Sequence, residues 1–493
     1  MPRSIATLAL MAALAACSSP PAPNAPAAVA AQVATPGLIL APMTFSGPNG
    51  VKVEAERGVF EVPENRADPG SRKIKITFVR FKSTSPNPGD PIVYLAGGPG
   101  GTATGAAQGP RFPLFMALRE VSDVIAFDQR GTGDSNSIPF CKAEQPFTAA
   151  TPVTRANLIA HFRREIAHCF DWWEGQGVDI DGYTTIENAN DIEDLRRALG
   201  AKKVNLWGIS YGSHLGLTMM KYHPASVNRA ALSGIEGLNQ TVKRPALTDK
   251  VFAHVQEIID ADPKAKALYP DLAGMMRRVH AKLNATPAVA TFTPQGASAP
   301  VTMTFDGFAV QLITSMSTAD PPGFANAPLI YLALDNGQYP KVAQMLYGPL
   351  LQMTAGFRGM PEAMDLASGI TADRLRLVTE EAKTSLLGDA LNFPMPQLLG
   401  IRDKIDLGND FRAPFRSDIP SLFISATLDG RTYPDEAAEE IKGFSNKWRL
   451  IVENGGHNIY EADKRVADAV VAFFKGEATP TSIVFNPPVI AKP

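Results

Sequence analysis

The chain has 493 residues, 45% hydrophobic and 19% charged, with 47 basic against 49 acidic side chains and a formal net charge of −2. That length holds one large domain or two to three smaller ones, with apolar residues enough for a packed core. Forty Gly and 41 Pro without a Gly-x-y period exclude a collagen-like chain. A balanced charge without a basic block argues against nucleic acid as a partner.

The first residues read as an address. Arg3 supplies a short positive region, and Ile5 to Ala16 is an unbroken apolar or small stretch. It is too short for a membrane-spanning helix, which needs about 20 residues, so residues 1–16 are expected to be a cleaved export signal. The ending Leu14-Ala15-Ala16-Cys17 resembles the lipobox of bacterial lipoproteins. This resemblance implies that Cys17 becomes a lipid-bearing N-terminus and places the protein on the periplasmic face of the inner or outer membrane, or on the cell surface. An ordinary secreted protein is the alternative. Residues 17–36, rich in Pro and Ala and without an apolar period, read as an extended tether. The two other cysteines, Cys141 and Cys169, lie in one short region and are expected to form a disulfide if the chain is exported.

Further along, β-branched or aromatic runs predict strands at Lys73–Phe81, Pro91–Ala96, Asp123–Asp128, Lys203–Ile209 and Arg229–Ser233. They resume at Ser421–Ala426 and Trp448–Glu453. Several are near-continuous apolar runs, as in strands covered on both faces. Helical patterns lie between them. The clearest opens with the capping-box pair Thr184 and Glu187, runs through Ile192 and Leu195, and stops at Gly200. Strand–helix alternation predicts an α/β fold with a mostly parallel, doubly wound sheet. Residues 238–410 are instead mostly helical, with patterns at Thr248–Asp260, Ala273–Leu283, Gly307–Met316 and Ala372–Leu387, and one plausible strand at Val301–Phe305. This stretch reads as a helical cap inserted between a first core segment, 37–237, and a second, 411–493. A separate helical domain away from the site is the bland alternative.

Gly208-Ile209-Ser210-Tyr211-Gly212 follows an apolar run and precedes a helical pattern, the context of a G-x-S-x-G nucleophile elbow. A Cβ at either flanking glycine is expected to clash in so tight a turn. A serine hydroxyl needs a base within hydrogen-bond reach and a carboxylate to orient that base. In this architecture the order is Ser, acid, His. Of seven histidines only His457 lies beyond residue 280, on a loop after a strand. Asp429 closely follows the Ser421–Ala426 run, whereas Asp410 and Asp418 precede it. The oxyanion hole is expected from the N–H of Tyr211 and from the glycine-rich loop Gly97-Gly98-Pro99-Gly100-Gly101. No C-x-x-C or H-E-x-x-H pattern suggests a metal, and this chemistry requires no cofactor.

Taken with Asp128-Gln129-Arg130-Gly131-Thr132-Gly133-Asp134-Ser135, Leu428-Asp429-Gly430-Arg431-Thr432 and Gly456-His457, these motifs resemble the prolyl aminopeptidase and tripeptidyl aminopeptidase branch of the α/β-hydrolases. The similarity covers about residues 45–237 and 411–475. It implies a serine exopeptidase acting on free peptide N-termini, with Ser210 as nucleophile, Asp429 as orienter, His457 as base, and the N–H groups of Gly98 and Tyr211 as oxyanion hole. Arg130 matches a family position and is expected to fix the loop after its strand. Two positions depart from the pattern. Ala96 stands where prolyl aminopeptidases carry His, and Arg431-Thr432-Tyr433-Pro434 has one residue more than the usual Thr-Pro. Recognition of an ammonium group calls for a carboxylate, and Glu236, just after the Arg229–Ser233 strand, is the candidate; a structural ion pair is the competing role. The expected partners are short peptides and, through the lipid, a membrane. A carboxylic ester hydrolase and a non-catalytic surface binding protein are the alternatives.

Overall fold

The computed structural model describes residues 37–493 and the backbone of 32–35; the signal segment 1–16 and Cys17 lie outside the described residues. Its centre is an eleven-stranded sheet. In chain order the strands are β1 (Gln32–Thr35), β2 (Leu38–Ser46), β3 (Lys52–Pro63), β4 (Lys73–Phe81), β5 (Ile92–Leu95) and β6 (Val124–Phe127). There follow β7 (Val204–Ile209), β8 (Val227–Ser233), β9 (Ser421–Ala426), β10 (Lys447–Glu453) and β11 (Ser482–Val484). Across the sheet they run β1-β2-β3-β4-β6-β5-β7-β8-β9-β10-β11. Pairing is antiparallel from β1 through β4 to β6 and parallel from β6 to β11.

The apolar runs become strands because both faces are covered. Val93, Leu95 and Leu206 join one apolar cluster, while Ile92, Tyr94 and Trp207 join the other. This is the period-2 alternation of a two-faced sheet. From β5 the chain steps one way to β6 and later returns on the other side to β7. The carboxyl ends of β5 and β7 therefore flank the crevice where open α/β sheets bind ligands. The Gly97–Gly101 loop and Ser210 emerge there.

Three expectations need correction. The sequence predicts a tether over 17–36, but Gln32–Thr35 already pairs with Leu38–Leu40. Strands β2 and β3 carry alternating, half-exposed faces, so they lack the continuous apolar signal of the central strands. The Thr184–Glu187 box is half formed. Thr184 accepts from the Glu187 N–H, but the Glu187 carboxylate is taken by Arg66.

The cap is larger than 238–410. Val301–Phe305 pairs with Ala288–Phe292 as a hairpin, and helices occupy Pro245–Ala261, Leu272–Ala285, Gly307–Ser317 and Ala372–Ala382. Helices Pro321–Asp335 and Tyr339–Thr354, each with an internal proline, and Met360–Ser368 escape the sequence reading. A second segment joins them. Cys141–Lys142 pairs with Gly356–Phe357, and the long helix Arg155–Gly175 packs against it. Cys141 and Cys169 are joined by a disulfide with a Cα–Cα distance of 5.8 Å, tying that helix to the strand pair. Among the described residues no helix is long and apolar enough to cross a membrane, and no cluster of three His, Cys, Asp or Glu side chains could hold a metal.

Candidate active site

Ser210 sits between β7 and the helix Tyr211–Tyr222 with φ 57° and ψ −128°. Left-handed φ is costly for a residue with a Cβ and persists only where its surroundings enforce it. Here the Ser210 N–H donates to the Ser233 carbonyl at 3.0 Å, while the Ser210 carbonyl accepts from Ser213 N–H and Oγ, both at 2.7 Å. The two glycines of the motif allow the turn. A Cβ on Gly208 would lie 2.6 Å from the Gly212 carbonyl oxygen, and one on Gly212 would collide with the carbonyl of Leu95. The Gly97 loop packs directly on the elbow, since a Cβ on Gly97 would lie 3.1 Å from Ser210 Cβ.

Among the described residues, neither the Gly98 N–H nor the Tyr211 N–H has a hydrogen-bond acceptor. Tyr211 opens a twelve-residue helix, so its N–H also carries the positive end of the helix dipole. The loop bearing Gly98 is fixed from below by the Asp128–Ser135 motif. Gln129 Nε2 donates to the Ala96 carbonyl at 2.9 Å, and Asp128 accepts from Thr104 N–H and Oγ1 and from Asp134 N–H. Arg130 is fully buried, forked onto Asp191 with both bonds at 2.7 Å, and donates to the Glu64 carbonyl. It holds the loop and does not face the elbow.

Asp429 is 1% exposed. Its Oδ1 accepts from Arg431 N–H (2.7 Å) and Thr432 N–H (2.9 Å), and its Oδ2 from Thr432 Oγ1 (2.6 Å). His457 Nδ1 lies 2.9 Å from Oδ2 and 3.1 Å from Oδ1. An ionised carboxylate only accepts, so Nδ1 carries the proton and Nε2 of the neutral ring is left as an acceptor. Imidazole and elbow meet at Gly234. This residue follows Ser233, the partner of Ile209 in the sheet, and its Cβ would lie 3.1 Å from His457 Cε1. Among the described residues Ser210 Oγ makes no hydrogen bond within 3.5 Å; such bonds are commonly long before substrate binds.

The cap holds the His457 loop. The Ala319 carbonyl accepts from His457 N–H at 3.1 Å, and Asp320 accepts from Asn458 N–H (2.8 Å) and Nδ2 (2.7 Å). From the core side Arg111 Nη2 donates to Asn458 Oδ1 at 2.9 Å. On the opposite wall Pro361 packs against the Gly100 backbone, and the Tyr211 hydroxyl meets Met364 Sδ.

Glu236 is nearly buried, but its carboxylate is bonded by Lys243 Nζ at 2.8 Å, and its N–H donates to Ser213 Oγ. It is the ion pair that competed with the ammonium-binding role, and it is not a free carboxylate. Asp365, on the cap helix Met360–Ser368, is different. Its carboxylate has no hydrogen-bond partner among the described residues, and burial together with the neighbouring charge of Glu236 pushes it up to about 7. Sequence reasoning missed Asp365 because it stands in a helix that no motif marks.

A family model described as the alpha/beta hydrolase fold matches residues 90–463. The chain belongs to the alpha/beta hydrolase family. Among curated relatives of this hydrolase, the tripeptidyl aminopeptidase of Streptomyces lividans is 30% identical over 197 residues, covering 36% of this chain and 35% of that protein. The serine protease Hip1 of Mycobacterium tuberculosis is 28% identical over 187 residues, covering 36% and 35%. A probable proline iminopeptidase of Streptomyces coelicolor is 31% identical over 156 residues, covering 31% and 36%. The chain thus spans about a third of the length of the curated relatives it matches. A solved proline iminopeptidase from Mycobacterium smegmatis covers 85% of this chain and 98% of its own, at 14% identity and a TM-score of 0.37.

Proposed function

We propose that this hydrolase is a serine exopeptidase that releases residues from the free N-termini of short peptides, in the manner of prolyl and tripeptidyl aminopeptidases. The observation that carries the reading is the Asp429–His457 pair set beside a strained Ser210 at Gly234. Ser210 Oγ attacks the scissile carbonyl while His457 Nε2 takes its proton, and Asp429 holds the resulting imidazolium. The oxyanion lies between the N–H groups of Gly98 and Tyr211, which need no reorganisation as charge develops. His457 then returns the proton to the leaving amine, and water releases the acyl group by the reverse steps. Asp365 receives the substrate's ammonium group. The related aminopeptidases and protease support this choice of substrate. For location we propose export and lipid attachment at Cys17, which tethers the enzyme to a membrane surface.

The experiment compares purified protein on tripeptidyl and prolyl arylamides with free N-termini, the same compounds N-acetylated, and short acyl esters. Turnover of free-amine arylamides, reduced at least tenfold by acetylation and abolished in Ser210→Ala, is expected. Turnover of esters alone assigns a carboxylic ester hydrolase instead, and no acyl-enzyme burst with any substrate assigns a binding protein.

A further inference from the structure

The loop after Asp429 carries Arg431, two residues beyond the carboxylate that holds His457. Its backbone N–H is bonded to Asp429, so the guanidinium leaves from the same turn that holds His457. It reaches the cap, where Ser315 Oγ, on the helix Gly307–Ser317, lies 3.5 Å from Nη1. No carboxylate oxygen lies within 4 Å of the Arg431 side chain among the described residues. The nearby acids are committed elsewhere: Asp429 to His457, Asp320 to Asn458, Glu236 to Lys243. Three other arginines sunk into the molecule are paired with carboxylates. Arg130 is forked onto Asp191, Arg374 pairs with Glu436, and Arg412 with Asp406. Burial lowers the Arg431 pKa against the opposing charges of Asp429, Asp320 and Glu236. An unpaired guanidinium in such a place is costly to keep, and its planar fork matches a carboxylate.

We propose that Arg431 is a substrate-binding residue that takes a carboxylate of the substrate at the seam between cap and core. The carboxylate is either the free C-terminus of a short peptide or an acidic side chain. This rests on the exopeptidase reading and deepens it. Asp365 and Arg431 are the unpaired acid and the unpaired base of one site, and together they select short substrates that carry both charges.

The test measures kcat/KM on matched pairs: Ala-Ala-Ala against its C-terminal amide, Ala-Ala-Asp-amide against Ala-Ala-Asn-amide, and p-nitrophenyl hydrogen succinate against p-nitrophenyl butyrate. The wild type is expected to favour the carboxylate member of at least one pair by about 10–100-fold, the range of a charge-assisted bidentate contact. The pair that responds identifies the source of the carboxylate. Arg431→Gln is expected to bring that ratio to near unity and Arg431→Lys to an intermediate value. A wild-type ratio within twofold of unity for every pair overturns the proposal and needs no variant. An undiminished preference in Arg431→Lys or Arg431→Gln overturns it too, so loss of one variant to misfolding leaves the other to decide. The ester pair separates the two readings, because a carboxylate preference seen only there upholds the Arg431 site while removing peptidase activity.

Discussion

At the scale of single residues, the site sets two unsatisfied charges against a fully satisfied pair. Asp429 spends its oxygens on two backbone N–H groups, a hydroxyl and His457, whereas the Asp365 carboxylate has no such partners. Asp365→Asn is therefore expected to raise KM for free-amine peptides about tenfold relative to N-blocked esters, consistent with loss of one charged contact. The same substitution should show in stability. With a folded pKa near 7 against 3.8 unfolded, the folded state holds the Asp365 proton more tightly, so its contribution is present at acid pH and is lost as pH rises through 7. The melting temperature of Asp365→Asn, relative to wild type, is thus expected to be higher at pH 8 than at pH 5. An equal difference at both values removes the assigned environment.

At the scale of elements, the cap does more than cover the site, because Ala319 and Asp320 hold the loop that carries His457. Asp320→Ala leaves the Asn458 N–H and amide without those bonds and lets the imidazole drift. A displacement near 1 Å can cost about 100-fold, so kcat should fall 10–100-fold while KM changes little. A fall in KM affinity without a fall in kcat would instead give Asp320 a binding role. The elements legible in the sequence were those with a strong local signal. Strands β5 to β9 announce themselves as buried apolar runs, β10 by its aromatic and β-branched residues, and Ser210, Asp429 and His457 by turn chemistry and chain order. What stayed hidden depended on distant partners: the half-exposed β2 and β3, helices carrying Pro328 and Pro349, Lys243 closing onto Glu236, and Asp365 on an unmarked helix. The Cys141–Cys169 link spans 28 residues and joins the second cap segment to itself. By loop entropy it contributes about 3–4 kcal/mol. Reduction, or Cys141→Ser with Cys169→Ser, should lower the urea midpoint of unfolding by the corresponding amount; an unchanged midpoint contradicts this role.

At the scale of the molecule, one sheet divides labour along its length. Its antiparallel strands β1 to β4 extend the scaffold, and the parallel pairing of β5 with β7 sets the Gly97 loop against Ser210. Strands β9 and β10 deliver Asp429 and His457 to the same edge, beneath a cap assembled from two stretches of chain. The arrangement commits the fold to one nucleophile at one place. The most direct measurement is covalent labelling of the folded protein by a fluorophosphonate, followed by peptide mapping. A single stoichiometric adduct on Ser210 is expected, absent in Ser210→Ala and at least 100-fold slower to form in His457→Ala, in line with the loss of a triad member. An adduct on any other residue, or labelling of undiminished rate without His457, would contradict it.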